Sequence, residues 1–517
     1  MKRILFLLLF AHQCWAQSSA NAVRPSKHSV DSMVIYNRQL RPDEMKQDLQ
    51  LFLDIQKKAN SGLYRYHTKS QVDSIYKWAF TAARKPMSTL DFYKIILQLT
   101  DFEGSCHNYT EPQAELVGYL NRQRGFFPFA LKYIDGKMIF NSKTAQIPVG
   151  ARVLSVNGVS DRQLMQSFYK YMTADGFTKT QKQAGSVNRS FGLRYLYEYG
   201  VKDSFVIRFT APGATQPQTV TVPAVSLDER NASLLLRHSA PVDSVINYKV
   251  QPSYSFRMVN PSTGLLNLRI FTMADDENDP RFPVYVSFID SVFRVLANNN
   301  IPNLILDIRG NPGGSDPTFE QPMMYLTDSS FLENTTAYNI FGNDLPYEKY
   351  FWGVSTATRL DSASKAQGKL MLKDYFPSFE HGKSMQNAKY NPVYHPKSPG
   401  FKGKLYLLID EDVASAASHL ASLVKAYARN VTIVGVETVG GYYGHNGHMG
   451  LIYELPHSKL KTKFSIVYVI QDAPVKPDQP EGRGIIPDHT VWPSFDDFMQ
   501  NRDTQMEYVL KLISGKS

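Results

Sequence analysis

The chain has 517 residues, 43% of them apolar and 20% charged, with a formal net charge of +10. That balance excludes a disordered or fibrous chain and leaves room for about two to four globular domains. The positive excess is spread along the chain and not gathered in basic runs, which argues against a nucleic-acid partner.

Lys2 and Arg3 precede an apolar run at 4–10, and Cys14-Trp15-Ala16 places small residues at the −3 and −1 positions of a cleavage site. Residues 1–16 therefore read as a secretory signal peptide, so the expected location is periplasmic or extracellular. The run is too short to be kept as a membrane span, and no later stretch has the length or apolarity of one. Cleavage leaves Cys106 as the single cysteine, so no internal disulfide is expected.

Residues 17–40 are polar and read as a flexible lead. From 41 to 120 the apolar spacing is helical, with helices expected at 45–59, 70–84 and 89–99. From 125 to 225 short strand-like runs (127–133, 137–140, 151–157, 204–210, 219–222) alternate with the turns Asp135-Gly136, Asn157-Gly158 and Pro212-Gly213. From 250 to 495 strands at 265–271, 304–308, 405–409 and 431–436 alternate with helices at 284–297 and after Ser415, the pattern of a layered α/β core. An aromatic, irregular insertion occupies about 330–400, and 496–517 reads as a C-terminal helix.

Four stretches of the core carry chemistry. "LILDIRGNPGGS" (304–315) ends a strand in glycines that let backbone N–H groups point together, as an oxyanion hole requires, or that simply make a tight turn. "LIDEDVASAAS" (408–418) places Ser415 at a strand-to-helix bend, where a serine acts as a nucleophile near the positive helix end or merely caps it. "GVETVGGYYGHNGHMG" (435–450) lacks the Lys-Ser/Thr of a phosphate loop. Its His445 and His448 have no third metal ligand nearby, so neither a metal nor a cofactor is expected. "EGRGIIPD" (481–488) is turn-rich and carries Glu481. Upstream, "TDFEGSCHNYT" (100–110) puts His107 in a loop after a helix.

In this order the motifs resemble serine peptidase family S41, the C-terminal-processing and tricorn-core peptidases. The resemblance covers about 41–495. It implies a multidomain α/β protein: a helical N-terminal segment, a PDZ-like β-rich domain at 125–225 containing "GARVLSVNG", and a ClpP/crotonase-like core at 250–495. By similarity, Ser415 is the nucleophile, and the oxyanion hole comes from the N–H of Ala416 with Gly313 or Gly314, Gly313 slightly favoured. Ser418 stands where the family usually has Glu. One branch supplies its base from a lysine in the "GVETVGG" turn. Gly441 occupies that position here, and no lysine lies between Lys425 and Lys459. The resemblance to the tricorn-like branch instead implies His107, beside Cys106, as base, with Glu481 completing the relay. The implied activity is serine endopeptidase cleavage of peptides or proteins. The alternative is a peptide-binding scaffold of weak or no activity that uses the PDZ-like domain.

Overall fold

The computed structural model describes residues 29–515 except 144–145, 189, 240–251, 315–316 and 354–358. The expected signal peptide and most of the expected lead lie outside these residues. The end of the lead has regular structure: Ser29–Asn37 is helical and Gln39–Leu40 pairs antiparallel with Met87–Ser88.

The centre is a six-stranded sheet. Its order is Tyr254–Asn260, Thr263–Leu268, Asn303–Asp307, Lys404–Ile409, Val431–Gly435, His489–Thr490. The first pair is antiparallel and the others are parallel. Parallel strands need cover on both faces, which is why these segments read as unbroken apolar runs. On one face Leu266, Leu304, Leu306, Leu407 and Ile433 pack against the helices Phe282–Asn298 and Ala416–Tyr427. On the other, Leu265, Ile305, Leu408 and Val434 meet Val509 of the helix Thr504–Ser514. The expected C-terminal helix is two helices, Phe495–Met499 and Thr504–Ser514.

The second helix is clamped by the strand motif. Arg309 is buried, bonds Asp307 at 2.8 and 2.9 Å, and bonds Asp503 at 2.7 and 2.8 Å. Asp503 in turn caps the helix by accepting the Met506 N–H. The arginine of "DIRG" therefore docks the C-terminus, because a buried guanidinium needs carboxylates on both sides.

The 125–225 region is a six-stranded antiparallel sheet of Leu131–Ile134, Lys137–Phe140, Arg152–Val156, Val159–Ser160, Ser204–Thr210 and Gln218–Pro223. The helices Asp161–Phe168, Thr180–Asn188 and Phe191–Tyr199, not anticipated from the sequence, close its core around Phe127, Phe168, Phe191 and Phe205.

The insertion is also built. Its strand Asn334–Asn339 pairs with Tyr468–Gln471, which pairs with Gly444–His445. Another strand, Phe351–Gly353, begins a sheet that continues through Gly450–Glu454 and Lys461–Ser465 to Tyr109–Glu111. In that last pairing Thr110 lies opposite Thr462 and Tyr109 opposite Lys463. This register carries the N-terminal segment back over the core and delivers His107 to the site.

Candidate active site

The site lies beyond the carboxyl ends of the parallel strands, where α/β sheets place their ligands. Two strand-end turns are joined there. Asp410 Oδ1 accepts the N–H groups of Gly310 (2.9 Å) and Asp412 (3.1 Å), and the Ala414 N–H donates to the Asn311 carbonyl at 3.2 Å. Ser415 follows at φ 51°, ψ −130°, and the helix begins at Ala416. A helix cap takes extended backbone and accepts an amide with its side chain. Ser415 does neither: its side chain makes no capping bond. A non-glycine residue there stores about 1–3 kcal/mol, strain of the kind found at functional sites. The Ser415 side chain is half-buried, not sealed.

Gly313 lies against this serine. At φ 95°, a Cβ on it would stand 2.6 Å from Ser415 Cβ and 2.9 Å from the Ala416 nitrogen. Its N–H donates to Asn311 Oδ1 at 2.8 Å, and its carbonyl accepts the Phe271 N–H at 2.9 Å. Of the two glycines named from the resemblance, Gly313 thus has its N–H engaged within the turn. Ala416, at the first helical position, has an N–H with no intrahelical acceptor.

Ser418 is buried and donates its hydroxyl proton to the Ser415 carbonyl at 2.8 Å. Gly440 closes over it: a Cβ there would lie 2.0 Å from Ser418 Oγ and 3.3 Å from the Ser415 nitrogen. At Gly441, where the resembling branch has its lysine, a Cβ would approach the Gly444 carbonyl oxygen to 2.6 Å.

His107 is brought to this centre. Its neighbour Cys106 packs with Ala174, Ala414 and Val439, so the loop touches the residue preceding Ser415. Asp175, buried in a loop of the β-rich module, fixes the arrangement. Its Oδ1 accepts the Cys106 N–H (2.8 Å), its Oδ2 the Gly441 N–H (2.9 Å), and its own N–H donates to the Val439 carbonyl (3.1 Å). Nothing in the sequence around Asp175 signalled this role.

No hydrogen bond joins His107 to Ser415 here. The Nδ1 of His107 lies 3.5 Å from Cys106 Sγ, and its Nε2 is buried without a hydrogen-bond partner. The Nε2 faces Gly447 beside a second orphan, His445 Nδ1: a Cβ on Gly447 would stand 2.9 Å from the first and 2.5 Å from the second. The His445 ring stacks on His448 at 5.6 Å between centroids, and His448 Nε2 pairs with Glu333 at 2.9 Å. His419, one turn after Ser415, donates to the Glu333 carbonyl at 2.6 Å. Burial, with the Lys463 and His448 charges adding to it, pushes His107 down to about 3. Burial pushes His419 down to about 4, despite Glu333. Four histidines and one glutamate thus line the far wall, and the sequence had offered two of them, His445 and His448, only as metal candidates.

Glu481 is exposed, and no hydrogen bond joins it to His107 among the described residues. Its turn is pinned: the Gly482 carbonyl accepts the Phe177 N–H at 2.7 Å, and Arg483 forks onto Glu437 at 2.7 and 2.6 Å. The carboxylate beside the imidazole is Asp175, with ligand atoms of Cys106, His107 and Asp175 all within 4.8 Å of one another. Burial raises Asp175, against the two amides that favour its charged form.

Residues 267–491 match the description "Peptidase family S41". No curated protein matches the sequence. Among solved structures, mature CPAF complexed with lactacystin superposes with a TM-score of 0.56 at 15% identity, covering 91% of this chain and 98% of that one. A mutant form of CPAF gives 0.59 at 14% identity, covering 91% and 96%. At these identities the two structures establish the fold, a multidomain α/β arrangement shared along nearly the whole length. The 267–491 region therefore carries the similarity to peptidase family S41, and this similarity supports a serine-type peptidase.

Proposed function

We propose that the protein is an exported endopeptidase that opens peptide bonds by acyl transfer through Ser415. The observation that carries this reading is the backbone of Ser415, held at φ 51° on a strand-to-helix bend with Gly313 against its Cβ. The Ala416 N–H and a glycine N–H of the 313–314 turn stabilise the oxyanion, Gly314 being the glycine whose amide Asn311 does not take. His107 is the base that takes the Ser415 proton and returns it to the leaving amine. To do so its ring turns from the His445 side toward Ser415, an adjustment in keeping with catalytic hydrogen bonds that tighten only around substrate. Asp175 orients the imidazole, and Glu481 is the other carboxylate proposed for that role. The 1–16 leader supports export, and the PDZ-like module at 125–225, whose Asp175 loop reaches the site, is assigned to peptide capture by strand addition.

The test is hydrolysis of an unstructured protein substrate by the purified mature chain and by Ser415→Ala. Loss of cleavage in the variant is expected, and cleavage that survives it contradicts the reading. The separation of His107 from Ser415 favours a second reading, a peptide-binding scaffold. Tight peptide binding without turnover by the unaltered chain would establish that one.

A further inference from the structure

Cys106, His107 and Asp175 present a sulfur, an imidazole nitrogen and a carboxylate oxygen within 4.8 Å of one another. The Cys106 Sγ to His107 Nδ1 separation is 3.5 Å. In a tetrahedral zinc site, Zn–S of about 2.3 Å and Zn–N of about 2.1 Å put sulfur and nitrogen roughly 3.5 Å apart, so two ligands already stand at the required spacing. Asp175 is braced as ligating carboxylates are: each oxygen holds one backbone amide, and the Cys106 thiol hydrogen-bonds the same carboxylate, a contact its deprotonation would free for the metal. His107 and Asp175 are buried and Cys106 is half-buried, which gives a cation a way in along the thiol. The imidazole is not tethered from its other side, because Nε2 has no hydrogen-bond partner.

We propose that Cys106, His107 and Asp175 form an inhibitory site for a zinc-class divalent cation, which switches the peptidase off by capturing its base. The proposal rests on His107 being that base. On binding, the Cys106 thiol releases its proton to solvent and the sulfur–metal bond forms. His107 Nδ1 donates its lone pair to the metal, so the one ring proton resides on Nε2. No lone pair is left on the imidazole to accept the Ser415 proton. No electrons are transferred, and a chelator reverses the step.

The experiment is titration of the full mature Ser415→Ala chain with Co²⁺ alone, read by absorption. The expected result is the visible bands of tetrahedral cobalt together with a near-ultraviolet thiolate-to-cobalt band, both displaced by Zn²⁺. Cys106→Ser should remove the thiolate band and Asp175→Asn should weaken binding, while His448→Ala should leave both features in place. Circular dichroism of each variant separates loss of the site from loss of the fold. Cobalt bands without the thiolate band, or bands abolished by His448→Ala, would place the cation on the neighbouring histidines and overturn the proposal, as would no binding at all. Because Ser415→Ala carries no nucleophile, the outcome does not depend on whether the chain cleaves peptides. In the unaltered chain, zinc should inhibit hydrolysis and a chelator restore it.

Discussion

The serine half of the site and the histidine half are held in different ways. Ser415 is fixed by local structure: two adjacent strand ends, the Asp410 carboxylate bonding across them, and Gly313 against the side chain. His107 is fixed by distant structure: the pairing of 109–111 with 461–463, and an aspartate from a third region holding its loop. The first half keeps backbone strain in a close-packed turn. The second keeps two orphaned imidazole nitrogens beside a glycine, where a ring can turn. If Ser415 is the nucleophile and His107 the base, as proposed, the adjustable base is the natural point of control.

The largest effect that would break this comparison is at the serine. Ser415→Ala should lower peptide hydrolysis about a thousandfold or more with the fold intact, measured by single-turnover kinetics and circular dichroism. Ser415→Gly should be equally inactive and more stable by about 1 kcal/mol in denaturant titration, because glycine relieves the positive φ. A Gly variant no more stable than the Ala variant would show that the bend stores no strain. Gly313→Ala comes next. A Cβ 2.6 Å from Ser415 Cβ, on a backbone at φ 95°, should cost roughly 2 kcal/mol or more of stability together with most of the activity.

The histidine half is sharpened by a pair of carboxylate variants. Asp175→Asn keeps one acceptor but turns an NH₂ toward a backbone amide, at a cost of about 1–3 kcal/mol, so kcat should fall tenfold or more. Glu481→Gln, at an exposed position, should change kcat by less than about threefold, the size of surface effects. A large loss in Glu481→Gln with a small one in Asp175→Asn would return the orienting role to Glu481.

The smallest effect is in pH. Burial lowers His107 to about 3 and His419 to about 4, below the unfolded value of about 6.5. Between that value and these two, the unfolded chain takes protons that the folded one refuses. The contribution of these groups to stability is therefore intact above pH ~6.5 and is lost as pH falls toward 4 and 3. Asp175 and Glu103, raised by burial, act in the opposite sense. Thermal melts from pH 7 to 4 should fall less steeply in His419→Gln, which keeps a donor for the Glu333 carbonyl.

The contrast between the halves also explains what was legible in the sequence. The strands at 303–307, 404–409 and 431–435 were visible because a parallel sheet buried on both faces writes itself as apolar runs. The bend at Ser415 was visible because glycines and a helix start lie within a few residues of strand ends. His107 could be named only through the family resemblance. The register that delivers it pairs residues about 350 apart, with Thr110 opposite Thr462. Asp175 left no trace, since a buried carboxylate that bonds two amides needs no local pattern. The helices at 161–199 were hidden among turn-rich strands, and Arg309 was read as part of a motif with no sign of its distant partner Asp503.

The measurement that bears most directly on Ser415 and His107 acting as a unit is covalent labelling with a serine-directed fluorophosphonate, located by mass spectrometry. The account predicts a single adduct on Ser415 in the mature chain, with labelling slowed at least a hundredfold in His107→Ala. An adduct on another serine, or on Ser415 at an unchanged rate in His107→Ala, would contradict it.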